Sequence, residues 1–121
     1  MRVLIVDDHE PVRKALRRLL TADGYEVCGE AADGPDVIHA VRQLRPEVIL
    51  MDLLMPGMSG IDAARDVLAE FPATVIVLMT SPDPEIEEAA RVAGIRGVVW
   101  KGSGSFIPAL NDILHDQSPR R

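Results

Sequence analysis

Short apolar runs that do not alternate with polar residues constrain this chain most. The runs cover residues 3–6, 48–51, 75–79 and 98–100, and they are rich in β-branched side chains. A strand has this pattern when both of its faces are covered, as in a parallel sheet flanked by helices. The segment 25–31 alternates imperfectly and carries charge, which indicates an edge strand. The runs together predict a five-stranded parallel sheet.

Segments with helical spacing separate these runs. Apolar residues recur at intervals of three and four along each segment, and the positions are Val12, Ala15, Leu16, Leu19, Leu20; Val37, Ile38, Val41, Leu44; Ile61, Ala64, Leu68, Phe71; the Ala-rich stretch 85–93; and Phe106, Leu110, Ile113, Leu114. Ser59 and Asp62 are spaced as a capping pair for the third helix, and Gly94 suits the end of the fourth. The alternation predicts an α/β fold, a (βα)5 doubly wound sheet with right-handed crossovers.

Composition limits the class of protein. The 121 residues fit one domain, which we expect over 1–115, with 116–121 as a tail or the start of a linker. The net charge of −6 argues against a surface that binds nucleic acid or anionic membranes as a whole. A single cysteine, Cys28, excludes an internal disulfide framework. With no apolar run near the roughly 20 residues that span a bilayer and no secretory signal pattern, the expected location is the cytoplasm, without a membrane partner.

Polar residues of related chemistry follow four of the predicted strands. Asp7 and Asp8 follow the first strand, Asp52 the third, Thr80 the fourth and Lys101 the fifth. If the strand order is 2-1-3-4-5, these strand ends are neighbours at the carboxyl edge of the sheet, where ligands bind in such folds. Three carboxylates, a hydroxyl and an ammonium would then meet at one edge.

The chemistry of such a group is restrictive. Three carboxylates within a few ångströms repel one another unless a cation lies between them. Mg²⁺ prefers oxygen ligands and is usually held by one or two carboxylates together with a phosphate. A metal, an ammonium and a hydroxyl suit a phosphoryl group, which a carboxylate can accept as an aspartyl-phosphate. Each residue alone also has an ordinary explanation as a helix cap, a loop residue or a solvated charge.

Four stretches carry a family resemblance. They are Val-Asp-Asp-His-Glu at 6–10, Met-Asp-Leu-Leu-Met-Pro-Gly-Met-Ser-Gly at 51–60, Thr-Ser at 80–81, and Lys101. In this order and spacing they resemble the receiver domain of two-component response regulators, over about residues 2–114. The stretch that begins at Asp52 resembles receivers that precede a helix-turn-helix output domain. The resemblance implies a flavodoxin-like sheet of order 2-1-3-4-5.

The resemblance also implies a role for each matching residue. Asp52 would accept the phosphoryl group from a phosphohistidine of a histidine kinase or phosphotransfer protein. Asp7 and Asp8 would hold Mg²⁺ (or Mn²⁺), with Asp52 and the backbone carbonyl of Leu54 completing the protein ligands. Such a chain takes part in its own phosphoryl transfer and is not otherwise an enzyme. DNA contact would come only through an output domain absent from this chain, and a homodimer stays open.

The switch implied by the family has two departures here. Thr80 and Lys101 would bind the phosphoryl group and shift a two-state equilibrium that controls an output, implied to be transcription. The usual switch aromatic is replaced by Val98, so Trp100 is either a partial substitute or, as we favour, an edge-strand packing residue. Gly102 stands where proline is usual. Because of these departures, the alternative is a degenerate receiver that acts as a phosphorylation-independent protein-interaction module.

The sequence lacks the motifs of two other classes of α/β protein. A haloacid-dehalogenase-like phosphatase needs Asp-x-Asp after the first strand, and a nucleotide or flavin binder needs a glycine-rich phosphate loop. The three histidines show no metal-ligand spacing. On the first helix Arg13, Lys14, Arg17 and Arg18 occupy the polar face, which indicates either a solvated face or a docking surface for an acidic partner.

Overall fold

The computed structural model describes residues 1–102 and 104–115. Its elements in chain order are β1 (Arg2–Val6), α1 (Glu10–Ala22), β2 (Glu26–Ala31), α2 (Gly34–Leu44), β3 (Val48–Asp52), β4 (Leu54–Met55), β5 (Met58–Ser59), α3 (Gly60–Glu70), β6 (Val75–Met79), α4 (Pro84–Val92), β7 (Gly97–Val99) and α5 (Phe106–Leu114). The expected tail over 116–121 lies outside the described residues.

A parallel sheet forms the centre of the molecule. Within the described ranges it has five strands in the order β2-β1-β3-β6-β7. The separate pair β4 and β5 is an antiparallel hairpin between β3 and α3. With the hairpin set aside, the order is the expected 2-1-3-4-5, so the predicted fold class is confirmed. The hairpin was not predicted, because strands of two residues are too short to show a periodicity.

Two apolar layers cover the sheet. One layer packs against α2, α3 and α4, and the other against α1 and α5. In β1, Leu4 and Val6 belong to the first layer and Val3 and Ile5 to the second, and all four are fully buried. Burial on both faces is the reason that the apolar runs of the sequence do not alternate with polar residues.

Local signals fix the ends of two helices as expected. The Ser59 hydroxyl accepts a hydrogen bond from the Asp62 N–H at 3.2 Å and so caps α3. Gly94 follows the C-cap of α4 with a φ of 89°, a left-handed conformation that suits glycine. The last strand differs from the prediction by one residue, since β7 begins at Gly97 and ends at Val99, which leaves Trp100 outside it.

Gly60 is the point at which α3 comes closest to the end of β3. Its N–H donates to the Leu53 carbonyl at 2.6 Å. A Cβ at this position would collide with the backbone carbonyl oxygen of Asp52 and lie 3.0 Å from Leu78 Cδ1. Backbone atoms cannot move aside as a flexible side chain can, so this contact requires glycine and holds the strand end that carries Asp52.

Replacing Gly60 with alanine is therefore expected to destabilise the fold. The collision with the Asp52 carbonyl should lower the free energy of unfolding by about 1–3 kcal/mol, the usual cost of overpacking. Gly104, where an added Cβ meets no atom within 4 Å, is the matched control. Gly104→Ala should change stability by less than about 0.5 kcal/mol. Urea unfolding measures both, and equal stability of the two variants would contradict the close approach.

Candidate functional site

The register of the sheet brings predicted site residues to one edge. Val6 of β1 lies beside Met51 of β3, so the residues that follow them, Asp7 and Asp52, extend from neighbouring strand ends. Lys101 follows the end of β7 and reaches back across this edge. Its Nζ lies 2.5 Å from Asp7 Oδ2 and 3.4 Å from Asp52 Oδ1. The structure thus assembles two carboxylates around one ammonium.

Asp7 is the most deeply buried member of this group. Its side chain is fully buried, and both carboxylate oxygens accept hydrogen bonds. Oδ1 accepts from the His9 backbone N–H at 2.9 Å, and Oδ2 accepts from Lys101 Nζ. A buried charge is tolerated only when it is paired and hydrogen-bonded in this way.

Burial and neighbouring charges shift the acid–base properties of the group. Burial of the Asp52 carboxyl raises its pKa, and the charges of Asp7 and Asp8 act in the same direction against the opposing effect of Lys101. For Lys101, burial acts to lower the pKa of the ammonium. The hydrogen bond to Asp7 and the charges of Asp52 and Asp7 outweigh burial, so its pKa is raised overall. The lysine therefore stays protonated, and its single ammonium lies among the three carboxyl groups of Asp7, Asp8 and Asp52.

One oxygen of the Asp8 carboxylate is available to a cation. Its Oδ1 is buried and has no hydrogen-bond donor among the described residues. His9 Nδ1 lies 3.0 Å away, but out of line for a hydrogen bond. Asp7, Asp8 and His9 each offer one ligand atom, and these atoms lie within 4.8 Å of one another. A buried acceptor without a donor is costly, so the donor set fits a divalent cation.

Thr80 and Leu54 lie next to this group. The Thr80 N–H donates to the Val99 carbonyl at 2.9 Å, which ties the ends of β6 and β7 together. In the part of the chain that the structure describes, no hydrogen bond joins the Thr80 hydroxyl to Asp52. Leu54 lies in the hairpin two residues beyond Asp52, and the residue is 74% exposed.

Trp100 differs from the favoured expectation. Its apolar character favours an edge-strand packing residue, but Trp100 lies beyond β7 and is 49% exposed. An ideal Cβ on Gly102 would lie 3.1 Å from Trp100 Nε1, so the indole rests directly over that glycine. Val98, by contrast, is partly buried and packs against the layer that includes α4.

Sequence reasoning missed two residues at this edge. His9 was set aside for lack of metal-ligand spacing, yet it is the N-cap of α1 and its ring lies beside Asp7 and Asp8. Arg13 was placed on a solvated or docking face, but its side chain is only 16% exposed. Its position four residues after the N-cap was the available signal, because i and i+4 share a helix face.

The fold and the site together define the class of this protein. It is a doubly wound α/β sheet whose carboxyl edge carries a lysine and a group of carboxylates that fits a divalent cation. The chain belongs to the response regulator receiver domain family, whose model matches residues 3–105. The family confirms the predicted resemblance. It places the chain among two-component signalling receivers and not among enzymes.

Known relatives agree with this family. The response regulator GacA of Pseudomonas aeruginosa is 38% identical over 122 residues, which cover 97% of this chain and 56% of GacA. A LuxR-family two-component response regulator from Aurantimonas is 35% identical, with a TM-score of 0.87 over 93% of this chain and 84% of that one. RcsB of Salmonella enterica, solved bound to promoter rprA with the phosphomimetic BeF3−, is 30% identical, with a TM-score of 0.83 over 96% of this chain and 99% of that one.

The chain spans 50% to 67% of the length of the curated relatives that it matches first. Its likeness to them therefore concerns the receiver and not a whole regulator. No helix in the described ranges is long and apolar enough to cross a membrane.

The ion pair between Lys101 and Asp7 makes a testable contribution to stability. In Lys101→Met the fully buried Asp7 carboxylate loses the ammonium that pairs with it. With a chelator present, the free energy of unfolding should fall by about 2 kcal/mol, less than for a fully buried pair because Lys101 is partly exposed.

Lys14→Met is the control, since Lys14 pairs with Glu10 at 3.3 Å on the exposed surface of α1. This variant should change stability by less than about 0.5 kcal/mol. Urea unfolding measures both variants. A Lys101→Met protein as stable as the wild type would show that the ammonium does not stabilise Asp7.

Proposed function

We propose that the chain is a phosphoacceptor receiver, in which Asp52 takes a phosphoryl group from a phosphohistidine of a histidine kinase or phosphotransfer protein. The observation that carries the proposal is the Lys101 ammonium between the Asp7 and Asp52 carboxylates. In the reaction, an Asp52 carboxylate oxygen bonds to phosphorus as the phosphorus–nitrogen bond breaks, and the electron pair leaves with the imidazole nitrogen.

The charges of the group suit this transfer. Burial raises the pKa of Asp52, while the Lys101 ammonium acts to keep the carboxyl ionised and therefore nucleophilic. Once the phosphoryl group is attached, the same ammonium is close enough to pair with its oxygens. A carboxylate without this counter-charge would both resist ionisation and repel the incoming phosphate.

A divalent cation completes the proposed site. Asp7, Asp8, Asp52 and the Leu54 carbonyl are the proposed ligands for Mg²⁺ or Mn²⁺. The buried Asp8 oxygen, which has no donor among residues 1–102 and 104–115, supports the presence of a ligand at this edge. When bound, the cation neutralises charge on the phosphoryl oxygens.

The conformational change that follows phosphorylation would be transmitted to the protein surface through the ends of β6 and β7. Thr80 and Lys101 are the proposed phosphoryl-binding residues, and they follow strands that the Thr80–Val99 hydrogen bond joins. Movement of Thr80 toward the phosphoryl group would strain this bond and shift the loop after β7. Trp100, which rests on Gly102 beside Lys101, remains the candidate switch aromatic of that loop.

The proposed setting is a cytoplasmic regulator that controls transcription. RcsB, a relative of known structure, was solved on promoter DNA. We assign DNA contact to a helix-turn-helix output domain in a longer protein, because the acidic charge of this chain does not favour the phosphate backbone. Its direct partner is the histidine kinase or phosphotransfer protein.

Incubation with a small phosphodonor and Mg²⁺, followed by intact mass measurement, tests the proposal. The wild type should gain one phosphate-sized mass, because Asp52 is the nucleophile. Asp52→Asn should gain none, whereas Asp66→Asn, on the exposed surface of α3, should behave as the wild type. No gain in the wild type with Mg²⁺ present would favour the degenerate interaction module instead.

The phosphorylated state should be long-lived. Leu54 and Pro82 lie two residues beyond Asp52 and Thr80, where apolar side chains hinder the approach of water. Leu54→Glu should speed loss of the phosphoryl group by about tenfold or more, since a polar group can orient the attacking water. Leu54→Met, which keeps the position apolar, is the control.

Time-resolved intact mass after removal of the phosphodonor measures these rates. Loss from the wild type within seconds, or equal rates in the two Leu54 variants, would contradict the prediction.

A further inference from the structure

The peptide that joins Asp7 to Asp8 is held through its carbonyl oxygen. β1 ends at Val6, so this peptide lies past the last residue of the strand. The Asp7 N–H, which belongs to the preceding Val6–Asp7 peptide, still donates to the Ala31 carbonyl of β2 at 3.1 Å. The Asp7 carbonyl oxygen accepts from Arg13 Nη1 at 2.7 Å. Inside the sheet, a backbone N–H of the neighbouring strand would donate to such a carbonyl. Here Arg13 is the donor.

The direction of the Asp8 carboxylate depends on that peptide. Hydrogen bonds to both carboxylate oxygens fix the Asp7 side chain, but Asp8 Oδ1 has no donor among the described residues. Rotation of the peptide between them would swing the Cα–Cβ bond of Asp8. The Asp8 carboxylate is thus oriented by the Asp7–Asp8 peptide, and Arg13 donates to the carbonyl oxygen of that peptide.

Arg13 is itself held in place by β2. Its Nε donates to Glu30 Oε1 at 2.9 Å, and Arg17 Nε donates to Glu30 Oε2 at the same distance. Burial acts to raise the pKa of Glu30, but the hydrogen bonds and charges of Arg17 and Arg13 outweigh it and lower the pKa overall. Glu30 stays anionic, so Arg13 is anchored at one end while it donates at the other.

We propose that Arg13 is a positioning residue for the divalent cation. It holds the Asp7–Asp8 peptide in the orientation that directs the Asp8 carboxylate into the acidic group, and it does not touch the cation. The inference rests on the proposed function, because it requires that Asp7 and Asp8 bind a divalent cation. Loss of a residue that orients a metal ligand without touching the metal typically weakens metal affinity by about 10–100-fold.

Two matched variants separate this role from a general effect of charge. Arg13→Met and Arg17→Met each remove one arginine from Glu30 and leave the other in place. Only Arg13→Met removes the hydrogen bond to the Asp7 carbonyl. Mn²⁺ binding, measured by calorimetry on the whole chain, should weaken about tenfold in Arg13→Met. Mn²⁺ affinity should change by less than about twofold in Arg17→Met, because Arg17 is a solvent-screened charge whose removal leaves the Asp7 carbonyl bond in place.

A spectroscopic measurement without metal reports on the peptide itself. The amide nitrogen of Asp8 belongs to the same peptide group as the Asp7 carbonyl, so loss of the Arg13 hydrogen bond should shift its ¹⁵N resonance. Arg17→Met should leave this resonance in place. Arg13→Gln, whose side chain ends short of the position of Nη1, is a second variant expected to give the same shift if Arg13→Met does not fold.

The outcomes separate this inference from the function on which it rests. A wild type that binds no Mn²⁺ would overturn both. A wild type that binds Mn²⁺, with Arg13 and Arg17 variants of equal affinity and an unmoved Asp8 resonance, would overturn the role of Arg13 alone.

Discussion

The ammonium of Lys101 between two carboxylates is the interaction on which the rest of this structure depends. Asp7 is fully buried, and Asp52 nearly so. Removing such charges from water costs several kcal/mol for each ion unless close partners compensate. Asp7, Asp8 and Asp52 account for three of the six net negative charges of the chain. The acidity of the sequence is therefore in part a local property of one edge of the sheet.

A parallel sheet is what makes this grouping possible. The partners Asp7 and Lys101 are 94 residues apart in the chain, yet they follow strands that end at the same edge. The central strands β1, β3 and β6 are buried on both faces, so their ends are held firmly enough to keep charged side chains at fixed distances. Gly60 contributes to the same rigidity, because its missing side chain lets α3 press against the end of β3.

Periodicity predicted the strands and helices well, and its failures have local causes. The last strand is shifted by one residue because pairing with Val77 begins at Gly97, which no apolar pattern would include. Trp100 was drawn into that strand by its apolar character, although it lies past the last pair and rests on Gly102. The β4–β5 hairpin was missed because its strands are shorter than one repeat of any pattern.

The sequence by itself determined the strands of the sheet and the acidic and basic residues at their ends, whereas the strand order was implied only by the family resemblance. These follow from side-chain period and chain order, which are local properties. Only the tertiary structure decided that His9 lies beside the acidic pair and that Arg13 turns inward. A long side chain on α1 can extend into water or fold back, and here Glu30, 17 residues away on β2, decides the direction. No pattern within the helix contains that information.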